Sequence, residues 1–237
     1  HVYLNYGDYF KDKKRKFLVI FRGINTDFYN PKKVDQNKLE KKMQEWKVDK
    51  EKFIILLPGR LTRWKGQEVF IDALNILNQQ YNIKSFLAII LGDDQGRKVY
   101  SKKLESLAER YRLNNNLIFV PKCEEMPIAY EMAHVVVSAS IEPEAFGRIS
   151  VEAQSMQKAI IASNIGGSKE TIINDKTGFL IEAGNSNALA EKLIEAMNMD
   201  HWTLQSIGIE GRKNVLKKFD IDRMCFSTFS EYKKLLE

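Results

Sequence analysis

Two carboxylates and two cations stand out in this sequence by type and spacing. Glu144 and Glu152 lie eight positions apart within residues 138–152 (SASIEPEAFGRISVE), with Phe146 and Gly147 between them. Arg60 and Lys65 lie five apart within residues 58–66 (PGRLTRWKG). Carboxylates are good acceptors for vicinal hydroxyls. An arginine offers a planar fork and a lysine a point charge, a combination that suits two linked phosphates. Gly59 and Gly66 allow the sharp turns of the basic loop. Phe146-Gly147-Arg148 opens a helix whose free N–H groups and dipole face an anion without a dedicated side chain. The chemistry these residues share is the binding of a sugar joined to a nucleotide by a diphosphate. Glu144 is assigned to hydroxyls of that sugar and Glu152 to ribose hydroxyls. Eight residues exceed two helical turns, so a loop Glu144 and a helical Glu152 would face different parts of one elongated ligand.

Both stretches have to be positioned, and the pattern of the chain shows how. From residue 53 short apolar runs alternate with longer amphipathic ones. Strands are predicted over 53–57, 86–91, 117–120, 135–137, 159–162 and 177–181. Helices are predicted over 67–79, 99–112, 126–133 and 148–156, then near 187–198, 203–218 and 222–236. Val69, Phe70, Leu74 and Leu77 show the helical spacing in the first of these. Ahead of them, residues 17–21 (FLVIF) read as a short buried strand and residues 31–47 as an exposed, highly charged helix. Such alternation means an α/β fold, a doubly wound parallel sheet. Sheets of this kind bind ligands at the carboxyl ends of their strands, where both candidate loops fall.

Composition narrows the class. The chain has 237 residues, 44% hydrophobic and 29% charged, the balance of a folded globular protein. Its longest apolar runs are far below the roughly 18 residues of a membrane span. Two isolated cysteines, Cys123 and Cys225, give no disulfide framework and point to a reduced, cytoplasmic setting. A net charge of +6 suits a phosphate-bearing ligand, an anionic membrane surface or nucleic acid without choosing among them. The basic run 11–16 (KDKKRK) reads as a solvated turn in preference to a lipid-surface contact. There is no P-loop, no G-x-G-x-x-G, no paired C-x-x-C and no H-E-x-x-H.

Each residue also has a plainer reading. Arg60, Lys65 or Glu152 alone reads as a surface charge. Gly166-Gly167 reads as a turn, and His134 as structural. Cys123 follows a strand end, where an inert thiol is as natural as a contact to a base. Asp220-Ile221-Asp222 has a spacing used by some metal-dependent sugar transferases, but its place before the last helix makes it a cap. Only the joint occurrence of the motifs, in order and on matching strand ends, singles out the site.

That ordered set resembles the GT-B-fold glycosyltransferases, specifically the retaining group called family 4. The matching segments are residues 19–27 with Pro31, 58–66, 91–96 (LGDDQG), 144–152 as the E-x7-E motif, 166–170 (GGSKE) and 177–181 (TGFLI). They span nearly the whole chain and look most like bacterial members that build lipopolysaccharide or other surface glycans. The resemblance implies two Rossmann-like domains with a cleft between them, of which this chain is the carboxyl-terminal, donor-binding one. Residues 25–218 would form that domain, residues 1–24 the end of the amino-terminal acceptor domain, and residues 219–237 a helix packing back on it.

The resemblance also implies roles. Arg60 and Lys65 would hold the diphosphate and stabilise it as leaving group, with Glu144 on the donor sugar. Gly59, Phe146, Gly147, Arg148 and Ile149 would serve sugar and phosphates, Glu152 the ribose, and Lys122 and Cys123 the base. The anomeric configuration would be retained, and no metal or other cofactor is expected. Partners would be a nucleotide-sugar donor and a glycan or lipid-linked acceptor, with no nucleic acid. The setting would be cytoplasmic, with association at the inner membrane surface for a lipid-linked acceptor. About 160–180 residues expected before His1 are absent. Pro121-Lys122 stands where glycine is usual and Arg22 where asparagine is common, leaving the base open. The chain would then be an isolated or naturally shortened donor half, inactive in transfer alone. Alternatives are a donor-binding subunit beside a separate acceptor chain, another Rossmann-type enzyme such as an oxidoreductase, and a glycogen-type phosphorylase or synthase.

Overall fold

The computed structural model describes residues 18–236. The basic run 11–16 and most of the proposed remnant 1–24 lie outside the described residues. Six strands form one wholly parallel sheet: β1 (Phe53–Pro58), β2 (Phe86–Leu91), β3 (Leu117–Val120), β4 (Val135–Ser138), β5 (Ala159–Ser163) and β6 (Phe179–Ile181). Their order is β3-β2-β1-β4-β5-β6. Phe53 pairs with Phe86 and Ile55 with Val135, so the order reverses between β1 and β4. A crevice opens at such a reversal because the connecting helices leave for opposite faces.

The strands are apolar on both sides because both faces are covered. Ile55, Leu57, Ala88, Ile90, Val135 and Val137 point to one face. There they meet helices α2 (Gln67–Gln79), α3 (Lys98–Arg110) and α7 (Ser186–Asn198), through Phe70, Leu104 and Leu193. Ile54, Leu56, Leu87, Ile89 and Val136 point to the other. That face is covered by α4 (Met126–Met132), α5 (Arg148–Ser155) and Val215 of α8 (His201–Lys218). A short α6 (Ser168–Thr171) precedes β6, and α9 (Ile221–Leu236) ends the described chain.

Two expectations change. Residues 18–21 form no strand, and Phe17 lies outside the described residues. The run packs by its side chains, and Phe21 meets Phe219 edge-on at 5.4 Å. The chain instead makes one bridge, Ile24 to Asp220, with the Ile24 N–H on the Phe219 carbonyl at 2.9 Å. The charged helix is shorter than 31–47. Pro31–Lys33 makes a 3₁₀ turn, and α1 (Gln36–Glu45) starts after Asp35, which accepts from the N–H groups of Asn37 and Lys38. Asp220 caps α9 by accepting the Asp222 N–H at 2.9 Å, the capping reading of that motif.

His134 holds β1 in place from below. Its Nδ1 accepts the Ile54 N–H at 2.9 Å, and its ring stacks on Phe53 at 4.9 Å. Desolvation, then Lys158 and His201, push its pKa below the ordinary value near 6.5. The folded state therefore favours the neutral ring. This stabilisation is full above that value and is lost as pH falls through it. Melting should show a drop in Tm from pH 7.5 to 5.5 that is smaller in His134→Asn, although that variant melts lower at pH 7.5. Parallel pH profiles for the two proteins would rule out this role.

Candidate functional site

The site grows from three loops that follow β1, β3 and β4. After β1 the chain turns at Gly59, whose N–H donates to the Leu91 carbonyl at 2.8 Å. A 3₁₀ turn, Arg63–Lys65, follows and ends at Gly66, which has φ +71° and precedes α2. A β-carbon on Gly66 would sit 1.8 Å from the Ala139 carbonyl oxygen. The Ile141 N–H donates to the Trp64 carbonyl at 2.8 Å beside it. The basic loop and the acid loop are thus joined backbone to backbone.

That contact brings Lys65 to Glu144. Nζ and Oε1 are 2.7 Å apart, with side chains only 11% and 18% exposed. Ser140 Oγ donates to the same oxygen. The ammonium also lies 4.5 Å from the Trp64 ring centroid, in cation–π contact. The acid loop is fixed from behind by residues read only as a turn. The Gly167 N–H donates to the Glu144 carbonyl at 2.7 Å, and a β-carbon on Gly167 would fall 2.3 Å from the Phe146 carbonyl carbon.

A cleft of about 250 Å³ lies at the carboxyl ends of β1, β2 and β3. Gly59, Arg60, Lys122, Cys123, Ile149 and Glu152 line it. Arg60 is exposed and has no side-chain partner among the described residues, whereas its carbonyl is held by the fully buried Gln67 at 2.9 Å. Lys122 pairs with Glu124 in solvent at 2.9 Å. Burial raises the Cys123 thiol pKa, which disfavours the nucleophilic thiolate, and its Sγ donates to the Glu125 carbonyl at 3.4 Å. Lys65 stands next to the cleft. The position of a β-carbon on Gly59 is 3.7 Å from Lys65 Cδ and 3.5 Å from Ile149 Cδ1.

Glu152 is not a surface carboxylate. It is 7% exposed, and its Oε2 accepts the Tyr130 hydroxyl at 2.8 Å while Oε1 accepts Arg148 Nη2 at 3.1 Å. Gly147 starts α5 with φ +75°, and the first N–H groups of that helix have no intrahelical partner. Phe146 turns away from the cleft and packs edge-on against Phe219 at 5.9 Å. The arrangement places two cations, a helix N-terminus and two carboxylates along one rim, the chemistry that receives an anion flanked by hydroxyl groups. Ser140, Gln67 and Tyr130 escaped the sequence reading. The available signal was polarity at positions that the periodicity assigns to the interior. Among the described residues no cluster of three metal-ligating side chains occurs, and no helix is long and apolar enough to cross a membrane.

Gly66→Ala should cost about 2–4 kcal/mol, because it adds both a strained φ and a clash with backbone. Calorimetry should show a Tm lowered by several degrees. A Tm within one degree of wild type, as order of magnitude for a neutral surface change, would contradict the loop contact.

The family model described as "Glycosyl transferases group 1" matches residues 38–214. The chain is 30% identical over 209 residues to the capsular polysaccharide biosynthesis glycosyltransferase CapM of Staphylococcus aureus, covering 87% of this chain and 52% of that protein. A solved glycosyltransferase from Rickettsia africae superposes with a TM-score of 0.89 at 33% identity, over 93% of this chain and 57% of that one. Anabaena Alr3699/HepE, solved in complex with UDP-glucose, gives 0.82 at 26% identity, over 92% and 57%. The chain spans about half the length of the relatives it matches. Sheet order, rim chemistry and these likenesses agree: the chain has the Rossmann-like fold of a GT-B carboxyl-terminal domain and belongs to the glycosyl transferases group 1 family.

Proposed function

We propose that this chain is the donor-binding half of a retaining, family 4-type glycosyltransferase that takes its sugar from a nucleotide diphosphate. The observation that carries this reading is the single rim shared by Arg60, Lys65–Glu144, the start of α5 and Glu152. The base would lie toward Lys122 and Cys123, the ribose on Glu152, the diphosphate between Arg60, Lys65 and the α5 N–H groups, and the sugar on Glu144. As the bond between the anomeric carbon and the diphosphate oxygen breaks, its electron pair goes to that oxygen. An acceptor hydroxyl oxygen bonds the anomeric carbon, and its proton passes to the departing diphosphate. Arg60 and Lys65 meet the developing charge, so the leaving group needs no metal.

Binding of the acceptor, a glycan or a lipid-linked sugar, is assigned to the half of the relatives' length that this chain does not cover. A lipid-linked acceptor would place the protein at the inner face of a membrane. UDP complexes of the Anabaena neighbour favour a uridine nucleotide.

The test is a thermal-shift and calorimetric panel of UDP-, GDP- and ADP-sugars on this chain. One class should raise Tm, with affinity unchanged by EDTA and no sugar transfer by the chain alone. The double variant Arg60→Ala/Lys65→Ala should weaken binding about tenfold or more, the scale of losing charged hydrogen bonds. Equal binding by this variant, or no binding of any class, would overturn the reading. Affinity that needs a divalent cation would overturn its metal-independent part.

A further inference from the structure

Glu152 carries the ribose in the reading above, and the present inference rests on that assignment. A glutamate on a helix has a broad terminal torsion, so its carboxylate plane is not fixed by the backbone. Here each oxygen has its own donor. Tyr130 reaches Oε2 from the interior at 2.8 Å, and Arg148 reaches Oε1 from the surface at 3.1 Å. Tyr130 is fully buried on α4, and its ring meets Tyr29 edge-on at 6.0 Å, so its hydroxyl cannot swing away. Burial, and then the charge of Glu152, raise the Tyr130 pKa, which keeps the donating proton in place. Each carboxylate oxygen retains a lone pair for a further donor.

We propose that Tyr130, with Arg148 as a second anchor, is the positioning residue that aims the Glu152 carboxylate at the ribose hydroxyls. The pair thereby sets the preference for ribonucleotides over 2′-deoxyribonucleotides. Tyr130 dominates because Arg148 is 68% exposed, where solvent screens its contact. Without the tyrosine hydroxyl, Oε2 loses its buried donor and the carboxylate is less firmly aimed, so the two sugars bind with more similar affinity. A merely structural tyrosine would lower stability and leave the preference intact.

The experiment compares calorimetric affinities for UDP, GDP and ADP with those for their 2′-deoxy forms, in wild type, Tyr130→Phe and Arg148→Gln, with Tm measured alongside. Wild type should prefer the ribose form of its best nucleotide about tenfold, as a site built to bind a hydroxyl does. The ratio should fall at least about threefold in Tyr130→Phe and by less in Arg148→Gln, the scale of one hydrogen bond. If Tyr130→Phe does not fold, Arg148→Gln, changed at an exposed position, decides alone. A wild-type ratio retained by every folded variant would overturn this inference and leave the ribose assignment standing. No preference in wild type would overturn the ribose assignment and this inference with it.

Discussion

The contact of Gly66 with the Ala139 carbonyl sets the distance between the loop carrying Lys65 and the loop carrying Glu144. Parallel strands about 5 Å apart would otherwise leave their exit loops separated by side chains. Removing the β-carbon lets one main chain rest on the other. The same device recurs where a β-carbon on Gly92 would meet the Gly59 carbonyl and where one on Gly167 would meet Phe146. The rim is therefore built from backbone, which is stiffer than side chains, and the charged groups inherit that stiffness.

Electrostatically the rim is self-compensated on one side and open on the other. Lys65 and Glu144 neutralise each other in a partly dry setting, supported by Ser140. Such a pair contributes little net stability once desolvation is counted, but it leaves neither charge unpaired. Arg60 stands free in solvent, so it is the group that can attract an anion over a distance. Glu152 differs again: two donors hold it, and its surroundings are the interior of the protein.

Much of this was legible in the sequence, because strands and helices here obey their simplest rules. The strands at 86–91 and 117–120 and the helix at 67–79 fall where periodicity puts them, since each is covered on its apolar face by a neighbour of the same unit. Residues 18–21 misled because an apolar run can as well pack by its side chains alone, as Phe21 does on Phe219. The spacing of Glu144 and Glu152 pointed to a candidate site, but not to Glu152 being buried against Tyr130, which depends on how α4 meets α5. Gly166-Gly167 looked like a turn and is one. Its packing under the acid loop is a tertiary fact that a local pattern does not hold.

Ile24 and residues 219–221 are clasped by two hydrogen bonds, at 2.9 and 3.0 Å, and Asp220 ties down Thr26 as well. A tension applied between the two sides of this clasp would be borne there, in shear across a few adjacent bonds. The sheet would carry almost none of it. The domain is thus mechanically insulated: whatever tugs on the chain outside the clasp must first unfasten Ile24 before any strand feels the load.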